Sequence, residues 1–192
     1  MNSPIENYQK YKWFLTSTKK LVIGGKSAEQ NDEILKHLKS KKEDYIVMHT
    51  HAPGSPFSII LAPIEKVSKS DLEETAIFTA SFSRAWKLNK KKAVIDIFKL
   101  SSLSKSKLMK TGTWGVKEKL SSKTVELALV LTKQNNILRA VPEKSAKSYL
   151  LKIEPGNIDK TKIIPEIQKH LPKINKEEIL QALPTGGIKI IK

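Results

Sequence analysis

The chain has 192 residues, of which 35 are Lys or Arg and 19 are Asp or Glu, and its formal net charge is +16. A content of 39% hydrophobic and 28% charged residues excludes a disordered chain, and the length is enough to bury a hydrophobic core. The absence of cysteine excludes disulfides, thiolate catalysis and cysteine-ligated zinc, and it favours a reducing, cytoplasmic location.

The predicted elements of the first half of the chain are short strands and two longer helices. β-Prone runs bounded by turn residues predict strands over 12–17, 21–24, 44–50 and 57–62. The spacing of Ser27 and Gln30, and of Ser70 and Glu73, is that of a capping box, which marks the start of a helix. The first box predicts a helix to about residue 40, and the second predicts a long helix over 71–86.

The second half of the chain continues the same mixture. It contains predicted strands over 93–98, 111–117, 124–131, 148–153 and 188–191, and predicted helices around 159–170 and 175–182. Because strands and helices do not alternate strictly, the sequence predicts an α+β fold with a mixed, mainly antiparallel sheet and two principal helices. We expect a main domain over residues 1–142 and a small α/β extension over residues 143–192, packed on the same body.

The positive charge is concentrated in one segment of the chain. Residues 75–117 hold ten basic side chains against Asp96 alone, a net charge of +9, whereas residues 1–74 have a net charge of +1. Such clustering is typical of a nucleic-acid footprint, although a lysine-rich face can also serve solubility alone. Only Arg84 and Arg139 are arginines. Since reading of base edges usually needs arginine, the composition favours recognition of phosphate and shape.

A glycine turn between a predicted strand and helix has the chemistry of a phosphate site. Gly24 and Gly25 expose backbone amides, the following helix N-terminus attracts anions, and Lys26 adds charge. The spacing is not that of a Walker loop, so a plain strand–helix turn is the alternative.

The segment from His49 to Ser55 places two imidazoles beside a second glycine turn. His49 and His51 face the same side of a strand, which permits a metal pair, but the sequence shows no obvious third ligand. A histidine bonded to the backbone is the structural alternative. Contact with RNA through an imidazole and exposed turn amides is the functional hypothesis.

The aromatic and acidic residues complete the search for a site. Trp114, within the basic segment, is the candidate for stacking on a base, whereas Trp13 and Trp86 are predicted to be core residues. No catalytic motif occurs, and Asp96 alternates with apolar neighbours as on the polar face of a strand. The sequence has neither a run of about 18 apolar residues nor a signal peptide, so we expect no membrane partner.

Several short segments occur in the order found in a known family. They are Trp13-Phe14, Gly24-Gly25-Lys26, Gln30-Asn31, His49 with Pro53-Gly54-Ser55, Ala76 with Ser83 and Trp86, Ser104-Lys105, and Thr111-Gly112-Thr113 with Val116-Lys117. Over about residues 10–120 they resemble the NFACT-R (DUF814) RNA-binding domain family. That family occurs in the ribosome quality-control factors NEMF and RqcH and also as a free-standing domain.

The resemblance implies a non-catalytic RNA-binding protein, without cofactor or metal, that acts on tRNA or the large ribosomal subunit in translation or ribosome quality control. We expect the free-standing form, because the other domains of the large factors do not fit in 192 residues. The predicted RNA-binding residues are Lys26, Asn31, His49, Gly54, Ser55, Arg84, Lys105, Thr113, Trp114 and Lys117. The alternatives are an enzyme that uses His49 and Asp96, and a scaffold that docks on the ribosome through residues 143–192.

Overall fold

The computed structural model describes residues 5–41, 43–171 and 173–191, over which the chain forms twelve strands and five α-helices. The strands are β1 Lys12–Leu15, β2 Leu21–Gly24, β3 Ile46–Thr50, β4 Ser58–Ile60, β5 Lys92–Lys99, β6 Leu103–Ser104, β7 Gly115–Val116, β8 Ser121–Glu126, β9 Leu129–Gln134, β10 Ile137–Val141, β11 Leu151–Ile158 and β12 Ile188–Ile191. The helices are α1 Ala28–Ser40, α2 Lys69–Ser81, α3 Arg84–Lys87, α4 Lys160–His170 and α5 Lys176–Ala182.

Six strands form an antiparallel sheet in the order β1-β2-β4-β3-β5-β8. Side chains alternate between the two faces of a strand, so adjacent apolar residues enter different cores. Trp13 packs in one core with Leu35 of α1, and Phe14 packs in the other with Phe78 of α2. The sheet is therefore covered on both faces, and its loops are fixed between two packed layers.

A second antiparallel sheet has the order β10-β9-β11-β12 and packs with α4 and α5. Its buried residues, such as Leu129 and Ile153, belong to the same hydrophobic cluster as Phe78. The predicted boundary at residue 142 lies between β10 and β11 of this one sheet, and the two-domain division stays a prediction. Among the described residues, no helix combines the length and the apolar character needed to cross a bilayer.

The α+β class is confirmed, and the first hairpin, α1, α4 and α5 lie where the sequence predicts them. The start of α2 is wrong by two residues, because Ser68 and not Ser70 is the N-cap, in a capping box with Asp71. The predicted single helix to residue 86 is also wrong. The chain leaves α2 at Ser81, and the Ser83 side chain caps the separate short helix α3.

The strand predictions fail where the chain passes between sheets. The continuous run over 124–131 contains two strands, β8 in the first sheet and β9 in the second, with Leu127 and Ala128 between them. The predicted strand over 111–117 shrinks to the two residues of β7. Strand β10 was not predicted, and β11 extends past the predicted strand over 148–153 through Pro155 and Gly156, with an irregularity in its pairing there.

Candidate nucleic-acid interface

A central cavity of about 620 Å³ opens at one end of the strands of the six-stranded sheet. The end of β2, the end of β3 and the start of β4 meet there, because Gly24 and Met48 are both register partners of Ser58. The turn before α1, the loop between β3 and β4, and the segment Thr111–Trp114 line the cavity. Three loops that are distant in the sequence are thus brought around one opening.

The turn before α1 is held by tight backbone approach. A Cβ atom at Gly25 would lie 2.7 Å from the backbone nitrogen of Asn31, so only glycine fits without displacement. The Asn31 side-chain oxygen accepts a hydrogen bond from the backbone N–H of Phe57 at 3.1 Å. Asn31 therefore joins the first loop to the second, which is an internal role for a residue predicted to bind RNA.

The loop after β3 is organised around His49 and Ser55. The Nδ1 of His49 donates to the Thr50 carbonyl at 2.7 Å, and the imidazole lies against the Phe57 ring with the ring centroids 4.5 Å apart. Burial lowers the pKa of His49 more than nearby carbonyls and Asp96 raise it, so the ring is neutral at pH 7. Ser55 Oγ accepts from the Thr50 amide at 2.9 Å and closes the loop.

The second glycine of this region has a conformation that other residues rarely adopt. Gly54 has a φ of 108°, and its carbonyl accepts a hydrogen bond from the Arg84 amide at 2.7 Å. This bond fixes the loop to the start of α3 and places the Arg84 side chain against Gly54.

Asp96 lies opposite His49 across strands β3 and β5. Its carboxylate pairs with His51 Nδ1 at 2.9 Å and with Lys119 Nζ at 3.2 Å, and it accepts from Ser122 Oγ at 2.6 Å. Burial raises the pKa of Asp96, but these three partners together lower it below its usual value. Asp96 is therefore an ionised group with its oxygens already bonded.

Asp32 of α1 clamps the segment that contains the third loop. Its carboxylate accepts from Trp114 Nε1 at 2.8 Å and from the Gly112 amide at 3.1 Å, and it pairs with Lys105 Nζ at 3.0 Å. Lys105 also donates to the carbonyls of Lys110 and Thr113. Burial raises the pKa of Asp32, but the bonds from Lys105 and Trp114 outweigh it, so the carboxylate stays ionised.

The clamp changes how two predicted RNA contacts are to be understood. Trp114 is only 8% exposed, with its indole N–H bonded to Asp32, and it offers little free ring face to a base. Lys105 has its ammonium bonded within the loop. Both side chains therefore make internal bonds that hold the segment of the third loop in place.

Two further cavities adjoin the central one. The first side cavity, of about 530 Å³, shares Thr50, His51 and Pro53 with it, and the second, of about 520 Å³, shares Thr111 and Trp114. We call the basic residues that line the three cavities the basic belt. They are Lys12, Lys26, Lys36, Lys39, Arg84, Lys90, Lys92, Lys105 and Lys107. Among the described residues, the only acidic side chains in the three linings are Asp96 and Asp32.

The structure brings together nine of the ten predicted site residues. Lys26, Asn31, His49, Gly54, Ser55, Thr113 and Trp114 line the central cavity, Arg84 lines the first side cavity and Lys105 lines the second. Lys117 is exposed beside β7 but lines none of the three. Their contact with RNA stays a prediction.

Sequence reasoning missed six residues of the belt. These are Lys12, Lys36, Lys39, Lys90, Lys92 and Lys107. The spacing of Lys36 and Lys39 on α1 places them on one helix face, which was an available signal. Nothing local distinguishes Lys12 from other lysines near the N-terminus.

Ion pairs neutralise little of the basic segment. Of its ten basic residues, Lys91, Lys92 and Lys105 pair with carboxylates, and the other seven have no carboxylate of a described residue within 4.0 Å. Within the described ranges, no group of three or more metal-ligating side chains is close enough to hold a metal ion.

Comparisons with known proteins bear on the family of the chain. A family model described as "NFACT protein RNA binding domain" matches residues 10–118. The archaeal Rqc2 homolog aRqcH of Methanocaldococcus jannaschii is 31% identical over 96% of this chain and 29% of its own length. The NEMF homolog of Drosophila melanogaster, a ribosome quality control complex subunit, is 32% identical over 56% of this chain and 10% of its own length.

A solved structure shares the fold. The C-terminal part of the fibronectin/fibrinogen-binding protein from Streptococcus suis aligns with a TM-score of 0.52 and 22% identity, over 64% of this chain and 47% of that one. This likeness is one of fold alone, and the chain spans less than a third of the length of either relative named above. The family match extends over more than half of the chain and covers all three loops of the central cavity. The chain therefore belongs to the NFACT-R family of RNA-binding domains.

Proposed function

We propose that this chain binds RNA and that the basic belt carries the contact. The observation that carries the proposal is the continuity of the belt, in which nine cations and two carboxylates line three adjoining cavities. Asp32 pairs with Lys105 and Lys36 of the belt and Asp96 pairs with Lys119 outside it, and nine cations against two carboxylates leave the linings a net charge of +7. A cationic groove of this kind follows the phosphate backbone of a nucleic acid.

The belt favours recognition of phosphate and shape over base sequence. Eight of its nine cations are lysines, which act as point charges, and only Arg84 has the planar fork that reads base edges. Because the named relatives are ribosome quality control proteins, we propose tRNA or large-subunit rRNA as the RNA. The role that we propose is binding without catalysis, in ribosome quality control.

The salt dependence of binding tests this proposal. We expect the affinity for tRNA, measured by fluorescence anisotropy, to fall linearly with salt on logarithmic axes, because each neutralised phosphate releases counterions. Six phosphate contacts would lower the affinity about 10³-fold between 50 and 200 mM salt. Binding that is insensitive to salt, or no binding at low salt, would contradict the proposal.

A matched pair of variants assigns the salt dependence to the belt. The triple variant Arg84→Gln, Lys90→Gln, Lys107→Gln removes three belt charges that form no ion pair with a described carboxylate within 4.0 Å. The variant Lys66→Gln, Lys133→Gln, Lys147→Gln removes three exposed charges outside the belt. We expect the first triple to flatten the salt slope and the second to leave it unchanged. Equal effects would show that net charge, rather than the belt, determines affinity.

One observation favours an enzyme, although with His51 rather than the predicted His49 as its histidine. The contact between His51 and Asp96 at the central cavity has the form of a histidine oriented by a carboxylate, as in general-base catalysis. Denaturing gels of the same binding reactions separate the two functions. Intact RNA after long incubation supports binding without catalysis, and cleavage that is lost in His51→Ala supports the alternative.

A further inference from the structure

Lys12 is an unusual member of the belt. It is half-buried at the edge of the central cavity, with its Nζ 4.3 Å from the centroid of the Phe82 ring. Within residues 5–41, 43–171 and 173–191, no carboxylate lies within 4.0 Å of its ammonium group. The Lys12 ammonium group thus lies against the Phe82 ring instead of a carboxylate.

Lys26 and Arg139 are two of the three cations that act on Lys12 by charge. Gly24 is the register partner of Lys12, and Lys26 lies two residues after Gly24. Lys12 and Lys26 therefore flank the same end of the sheet. Arg139 of β10 donates from Nε to the Trp13 carbonyl at 3.2 Å and lies over the Trp13 ring, 4.7 Å from its centroid. Neither residue has an ion pair with a described carboxylate.

The protonation of the three groups reflects this crowding. Burial, followed by the charges of Arg139, Lys26 and Lys160, lowers the pKa of Lys12 to about 8. Burial also lowers the pKa of Arg139 to about 10, and burial with the Arg139 charge lowers the pKa of Lys26. The half-buried Lys12 and Arg139 therefore cost the fold free energy that no nearby carboxylate offsets, and Lys26, which is exposed, adds to the repulsion.

Proteins ordinarily avoid this arrangement, because buried charges are paired or hydrogen-bonded. The N-terminus of α1 adjoins these cations, but two of the amides there already have acceptors. The Lys26 amide donates to the Gln30 side chain, and the Gln30 amide donates to Ser27 Oγ. What the site presents is side-chain charge beside a cavity large enough for one nucleotide.

We propose that Lys12 and Lys26 form a phosphate site at the central cavity, that the charge of Arg139 supports it, and that this site holds one phosphate group of a bound RNA. The inference rests on the proposed RNA binding and names a specific contact within it. A phosphate supplies the anion that the three cations lack, and Lys12 and Lys26 line the cavity where the ligand would lie. Arg139 does not line the cavity and acts on Lys12 and Lys26 by charge.

The variant Lys12→Met tests the site, because methionine keeps an unbranched apolar stem against Phe82 and removes the charge. We expect it to weaken binding of a 5′-phosphorylated 12-nucleotide RNA about tenfold at pH 7, as for loss of one charged hydrogen bond. The control Lys66→Met removes one exposed charge outside the belt and should change the affinity less than about twofold. Equal losses in both variants, or none in Lys12→Met, would overturn the site.

Thermal stability distinguishes this role from a structural one. Because Lys12 is a desolvated cation without a carboxylate partner, Lys12→Met should raise the melting temperature of the free protein while it weakens RNA binding. Replacing a residue that serves only packing would lower both the melting temperature and the RNA affinity. A lower melting temperature together with unchanged RNA affinity would therefore overturn the inference.

The pH dependence gives a third readout. The charged groups around Lys12 are Lys26, Arg139 and Lys160, and His49 across the cavity titrates below pH 7. As the pH rises from 7 to 9.5 the Lys12 ammonium loses its proton, so the affinity ratio of wild type to Lys12→Met should fall from about ten toward one. A ratio that does not change with pH would contradict the inference.

Titration with inorganic pyrophosphate separates the failure of the site from the failure of the proposed function. If the wild type binds pyrophosphate in a manner that depends on Lys12 but binds no RNA, the anion site stands and the RNA function falls. If RNA binds independently of Lys12 and pyrophosphate does not bind, the function stands and the site falls.

Discussion

Asp32 is the single residue on which the shape of the site depends most. Its carboxylate holds Lys105, Gly112 and Trp114, and it is 7% exposed. We expect Asp32→Ala to lower the free energy of unfolding by about 3 kcal/mol, because it leaves buried donors and a cation without their partner. Urea denaturation measures this loss.

Glu33, the next residue on the same helix, is the matched control. It is exposed, and its carboxylate accepts from Lys10 Nζ and from the Tyr11 hydroxyl, both at 2.8 Å. Glu33→Ala should lower stability by about 1 kcal/mol, because it removes one exposed ion pair and one neutral hydrogen bond. If the two variants were equally stable, the clamp would not hold the loop as we describe.

At the level of single residues, local sequence indicates the turns of the site but not its internal bonds. Gly25 and Gly54 are recognisable because their backbone requirements are local. Lys105 shows only its charge in the sequence, and its partner Asp32 is 73 residues away in the chain. The partner of Trp114 is also distant in the sequence. Trp114 was therefore predicted to stack on a base, whereas in the fold its indole N–H donates to Asp32.

The start of α2 shows how an element is locked to its neighbour. Asp71 accepts hydrogen bonds from Thr16, Thr18 and Ser68, which joins the helix to the β1–β2 turn. Burial raises the pKa of Asp71, but these bonds outweigh it and the net pKa lies below the ordinary value. The carboxylate therefore stabilises the folded state above about pH 4, and this contribution is lost as the pH falls through its lowered pKa.

The variant Asp71→Asn should remove part of the acid sensitivity. We expect it to be less stable than the wild type at pH 7, with a shallower fall in the free energy of unfolding between about pH 5 and pH 2. Glu65→Gln, at an exposed position, should leave the profile unchanged. Parallel profiles for wild type and Asp71→Asn would show that other carboxylates govern acid unfolding.

Element by element, the sequence predicts what is periodic and bounded by caps. Helices α1, α4 and α5 were predicted because each has a capping residue and an apolar stripe. The run over 124–131 was misjudged because β-propensity is equally high on both sides of Leu127. Which sheet a strand joins depends on partners elsewhere in the chain, and a local window does not contain them.

At the level of the whole molecule, the C-terminal segment is part of the shared core. Trp86 of α3 donates from its indole to the Gly187 carbonyl at 3.0 Å, and Ile188 is fully buried. We expect a chain ending at residue 142 to lose cooperative thermal unfolding, because β9 would lose β11 and the apolar residues beneath it would be exposed. Circular dichroism against the full chain measures the loss.

This outcome also bears on the scaffold alternative. Cooperative unfolding of the shortened chain at the temperature of the full chain would favour the predicted division at residue 142. Loss of the fold would mean that deleting residues 143–192 does not test ribosome docking. Substitutions on the exposed face of α4 would test docking with the core intact.

Gln134 has a consequence for how copies of this chain meet. Its side-chain amide accepts from the Leu15 N–H at 2.7 Å and donates to the Leu15 carbonyl at 2.8 Å, which is the pattern a neighbouring strand would supply. Arg139 occupies the Trp13 carbonyl on the same edge. Open sheet edges are the usual starting points of aggregation, and a basic protein crowded along a polyanion is exposed to that risk. Side chains of the second sheet occupy the free backbone groups of β1, and they thereby protect this edge of the first sheet from edge-to-edge self-association.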